Sequence, residues 1–91
     1  MIRFMENANT RRIGLIGFDG VTALDIIGPL EAFAVASANV QARGRDSRYE
    51  LLVLGLTNKR FAAESGVTVV PNTTLDRAPA LDTVIIPGGA G

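Results

Sequence analysis

Apolar positions in this chain concentrate in three short runs and one longer stretch with helical spacing. Residues 13–18, 49–56 and 81–86 form the runs. The first is too short for a helix and too apolar for a strand with one wet face, so it predicts a strand buried on both sides, as in a parallel sheet, and the other two predict further buried strands. Between the first two, Leu24, Ile27, Leu30, Phe33 and Ala34 recur at helical spacing, predicting a helix from Thr22 to about Val40. Gly28-Pro29 interrupts it. Either the helix kinks there, or one turn precedes a helix whose first position is Pro29. Asp19-Gly20 turns the chain between strand and helix, and Thr22 with Asp25 fits a capping box.

The remaining segments are shorter. Residues 41–47 read as a charged loop around Gly44. Residues 60–63 and 67–70 flank Glu64-Ser65-Gly66 as a small hairpin. Residues 71–79 read as turn and loop with one helical turn. The chain closes on Pro87-Gly-Gly-Ala-Gly after the third strand. Strand, helix and strand make a parallel βαβ unit, so the class is α/β. Residues 1–11 read as a flexible tail and 12–91 as the folded part. Three parallel strands with one covering helix leave a sheet face bare, and a Gly-rich turn after a strand ordinarily leads into a helix. The chain is therefore expected to be the first half of a larger domain.

Composition narrows the chemistry. Nine basic and nine acidic residues give a net charge of zero, so no field holds nucleic acid or an anionic membrane. No run of eighteen apolar residues occurs, so no bilayer span is expected. There is no Cys and no His among the 91 residues, which removes thiolate nucleophiles, imidazole bases and soft metal ligands. Neither a metal nor a cofactor is expected, and the setting expected is cytoplasmic.

Asp25 is the leading candidate for function. It sits in the first helical turn beyond the carboxyl end of a strand, where open α/β sheets place their ligands. Capping and the helix dipole would by themselves justify an acid there, by about 1 kcal/mol. One carboxylate can serve both roles. Gly88 and Gly89 follow a buried strand and can present backbone amides to an anion, or simply form a tight turn. No Gly-Lys-Ser/Thr follows them, and Gly14, Gly17 and Gly20 do not make a dinucleotide fingerprint, because Gly14 and Gly17 lie inside the strand. Glu31 is a solvated helix residue, Ser65 a turn residue without a base. Arg43, Arg45 and Arg48 are diluted by Asp46 and Glu50.

The segments GLIGFDGVTALDIIGPLEAF, YELLVLGL, AESGVTVVPNTTL and APALDTVIIPGGAG, in that order, resemble the amino-terminal half of ThiJ/PfpI-type domains of the class I glutamine amidotransferase-like superfamily. The most specific pieces are the LD-x-x-GP segment from Leu24 to Pro29 and the final PGG. The branch it is most similar to holds AraC-type transcriptional regulators and isonitrile hydratase-like enzymes. The resemblance implies a flavodoxin-like α/β sandwich, a homodimer, and a Cys on a strand-to-helix elbow that would fall beyond Gly91. It also implies that Asp25 faces that elbow, catalytic only in an enzyme, and that Gly88 and Gly89 line the ligand site with it.

The expectation is thus a ligand-sensing and dimerisation domain of an AraC-type regulator, its DNA-binding module outside this chain. An isonitrile hydratase-like enzyme is the alternative. A bare dimerisation platform is a third. The ligand is a small molecule of unknown identity.

Overall fold

The computed structural model describes residues 10–44 and 48–89. Expectations placed on residues 1–9, on Arg45 and Asp46 and on the last two residues fall outside these. Within them, β1 (Thr10–Gly17), α1 (Ala23–Ala42) and β2 (Arg48–Gly55) make the parallel βαβ unit. A hairpin of β3 (Phe61–Ala62) and β4 (Thr68–Val69), then β5 (Thr73–Thr74), a 3-10 turn (Leu75–Arg77) and β6 (Thr83–Ile85) complete it. The main sheet runs β5-β2-β1-β6, all parallel; β3 and β4 pair antiparallel apart from it. The α/β class and the mainly parallel sheet expected from the sequence are what the chain forms.

β1 is the centre, paired with β2 from Thr10–Arg48 to Gly17–Gly55 and with β6 from Ile13–Thr83 to Leu15–Ile85. Side chains alternate between the two faces of a strand. Ile13, Leu15, Leu51, Val53 and Ile85 turn to one side and form the core with Ile26 and the half-buried Leu30 and Phe33 of α1. Ile26 is fully buried, and emptying its site would cost about 2–4 kcal/mol. The helix is also fixed at its far end. Phe33 meets Tyr49 edge-on with ring centroids 4.8 Å apart, and the Tyr49 N–H donates to Ser37 Oγ at 2.7 Å.

Several boundaries differ from the sequence expectation. β1 takes in Thr10 and Arg11, which the sequence placed in the tail, because Arg12 is locked on both sides: its Nε donates to Glu50 Oε1 on β2 at 2.8 Å, and its backbone N–H to Asp82 Oδ2 at 2.8 Å. α1 runs unbroken through Gly28-Pro29 to Ala42, neither divided nor restarted at Pro29. Pro29 simply leaves the carbonyl of Asp25 without its intrahelical donor. β5 is a strand where a loop was expected, because Asn72 begins the pairing with β2: its N–H donates to Val53 O, and Val53 N–H donates to its Oδ1.

α1 meets the length and composition of a membrane span, which the sequence reading did not anticipate. Ile26 is its one buried residue, with Leu30 and Phe33 half-buried against the sheet, while Leu24, Ile27 and Val35 stay exposed, so packing on the sheet covers only part of that apolar content. The opposite sheet face is covered only in part: Leu54 and Ile16 are buried there, while Val84 and Ile86 are exposed, Ile86 by 78%.

Candidate functional site

The site forms where β1 ends and the chain turns into α1. Phe18 to Val21 makes a tight turn, closed by Val21 N–H donating to Phe18 O at 3.1 Å, with Gly20 at a φ of 89° that favours glycine. On one side this turn is held by the hairpin. Gly20 N–H donates to Ala62 O, Ala62 N–H to Asp19 Oδ1, and Glu64 N–H to Val21 O. On the other side it meets the segment leaving β6, where Val21 and Gly89 form an isolated antiparallel bridge.

Asp25 and Gly88 are brought together here. Thr22 N–H donates to Gly88 O at 2.9 Å, and Gly88 N–H donates back to Asp25 Oδ2 at 3.0 Å. Both polar groups of the Gly88 peptide are thereby satisfied by the start of α1. The expected capping box is not formed: Thr22 is the N-cap, but its side chain makes no cap bond. Its hydroxyl donates instead to Glu64 Oε2 at 3.3 Å, and the Asp25 carboxylate bonds the glycine turn rather than its own helix end. A competing tertiary donor has drawn it away from the local one.

Gly89 has a different role. A Cβ there would stand 2.5 Å from Gly20 O and 2.9 Å from Val21 Cα, so only glycine admits the close passage of the two backbones. Its N–H has no acceptor among the described residues, and neither does Asp25 Oδ1 have a donor. Asp25 is exposed. The sheet order changes direction at this point, with β2 to one side of β1 and β6 to the other, and such switch points open a crevice at the strands' carboxyl ends. The arrangement offers one anionic acceptor and one backbone donor. Among the described residues, no group of His, Cys, Asp and Glu is arranged to hold a metal.

Glu31, Ser65, Arg43 and Arg48 are exposed and take no part. Asp19 and Glu64, which brace the turn, were legible in the sequence only as turn residues. Their work depends on a hairpin more than forty positions from the turn, as in the Thr22–Glu64 bond with its separation of 42.

Comparison with solved structures defines the fold. The chain superposes on a ThiJ/PfpI family protein from Pseudomonas syringae with a TM-score of 0.65 and 20% identity, over 88% of this chain and 29% of that one. It superposes on an AraC family transcriptional regulator from Pseudomonas putida with a TM-score of 0.60 and 18% identity, over 87% of this chain and 47% of that one. The chain has the α/β fold of these proteins, the fold its motifs led one to expect.

In sequence it is similar to the HTH-type transcriptional regulator GbdR of Pseudomonas aeruginosa, with 31% identity over 86 residues. That alignment takes in 94% of this chain and 22% of the regulator, so the chain spans about a fifth of the curated relatives it matches. No protein-family model matches it.

Proposed function

We propose that this chain is part of the ligand-sensing and dimerisation domain of an AraC-type transcriptional regulator, acting in the cytoplasm as a homodimer. The observation that carries the reading is the match to an HTH-type regulator over nearly the whole chain, supported by an AraC family regulator among its structural neighbours. Asp25 Oδ1 and the Gly89 N–H are the groups offered to a small ligand that carries both a donor and an acceptor. Gly88 positions Asp25 and does not itself contact the ligand, since its N–H is engaged. DNA contacts belong to a module elsewhere in the protein, consistent with the neutral charge of these residues.

Chromatin immunoprecipitation of the tagged intact protein tests this. Enrichment at a small set of promoters is expected, with Asp25→Asn leaving occupancy intact and abolishing the induced change in transcription. Absence of promoter enrichment, or a substrate turnover that disappears in Asp25→Asn, would sink the regulatory reading in favour of an enzyme.

A further inference from the structure

A second concavity lies at the carboxyl ends of β1 and β2, on the side of the turn away from Gly88. It has a volume of about 270 Å³. Two glycines are register partners at these strand ends, Gly17 of β1 beside Gly55 of β2, and their lack of side chains lets the Phe61 ring and the Thr57 carbonyl close down on the sheet beside the cleft. A Cβ on Gly17 would meet the Phe61 ring at 2.1 Å, and one on Gly55 would meet Thr57 O at 2.5 Å. The half-buried Phe18 and the exposed Leu56 supply apolar wall, with the buried Phe61 ring behind them.

Lys59 and Arg60 stand at the same cleft and are exposed. The ion pair seen among the described residues is Arg12–Glu50, so neither cation is neutralised by a side chain there. Asp19 is the acidic residue of the lining, and its Oδ1 is already committed to the Ala62 N–H. In a chain of zero net charge this is a local positive excess beside an apolar surface, at the end of the sheet where α/β folds bind ligands.

The geometry points to a binding cleft for a small organic carboxylate, its charge on Lys59 and Arg60 and its apolar body against Phe18 and Leu56. The volume is just below the range of pockets for drug-sized molecules, which selects a compact ligand. A bare inorganic anion would leave the apolar wall unused. Binding here does not depend on the chain's role in a regulator.

Equilibrium dialysis of the intact protein against radiolabelled benzoate tests the cleft, with benzamide and inorganic phosphate as competitors. Saturable benzoate binding is expected, displaced poorly by either competitor and weakened by added salt. The double variant K59Q/R60Q is expected to weaken benzoate roughly fivefold, two exposed charge contacts being removed. Asp19→Asn, which keeps an oxygen for the Ala62 N–H, is expected to strengthen it. Unaltered thermal melting of both variants secures the comparison. The proposal is overturned if benzoate does not bind, if benzamide or phosphate competes equally well, or if K59Q/R60Q binds benzoate as the parent does.

Discussion

The carboxylate of Asp25 accepts the backbone N–H of Gly88 at 3.0 Å, tying the first turn of α1 to the segment leaving β6 across 63 positions of sequence. With Thr22 N–H donating to the Gly88 carbonyl, the pair fixes where the strand's exit lies relative to the helix start. It also fixes the orientation of the Asp25 side chain.

Removing that carboxylate should therefore loosen the turn. Asp25→Ala leaves the Gly88 N–H without its acceptor and is expected to cost about 1 kcal/mol, modest because the site is exposed to water. Asp25→Asn retains an oxygen and should cost less than half as much. Urea unfolding of the three proteins checks the order. Equal losses for Ala and Asn would mean that charge, not the hydrogen bond, holds the turn.

The two glycines are predicted to differ. A methyl on Gly88 would lie 3.3 Å from Asp25 Oδ2, a side-chain atom that can shift, whereas on Gly89 it would strike the backbone of Gly20 and Val21. Neither glycine has a positive φ, so the difference is steric. Gly89→Ala should destabilise by about 2–3 kcal/mol and Gly88→Ala by less than about 1 kcal/mol. The midpoints of thermal melting give the comparison directly.

How far this site could be read from sequence depended on where each interaction comes from. The buried runs of β1 and β2 and the periodicity of α1 are local signals, and they placed Asp25 beyond the end of β1 correctly. The capping box was also a local signal and misled, because Thr22 and Asp25 found partners in Glu64 and Gly88, 42 and 63 positions away. β5 escaped notice for a similar reason. A two-residue strand has no period of its own, and Asn72 defines it only by meeting Val53. Lys59 and Arg60 were unremarkable in a neutral chain until the fold set them beside paired glycines.

At the opposite end of the sheet, Asp82 holds β6 in register. Its Oδ2 accepts the Arg12 N–H while its own N–H donates to Arg12 O, both at 2.8 Å. Asp82→Ala is expected to cost about 1–1.5 kcal/mol and to raise amide exchange at Val84 and Ile85 before the rest of the sheet. Exchange that rises uniformly would show that β6 unfolds only with the whole.

The face opposite α1 carries the last consequence. Val84 and Ile86 alternate with the inward Ile85, and both are exposed, at 47% and 78%. β6 is also the end of the sheet order, so its outer edge has no strand beside it among the described residues. An apolar face next to an unpaired strand edge is a template for association. The 91-residue chain by itself is therefore expected to self-associate at micromolar concentration, and V84K/I86K to shift it toward monomer by charging that edge. Sedimentation velocity distinguishes the cases. A parent chain that is monomeric and melts in one cooperative step would show that the open face is tolerated. If V84K/I86K associates as strongly as the parent, the contact lies elsewhere, and the exposed Leu24 and Ile27 of α1 become the surface to alter next.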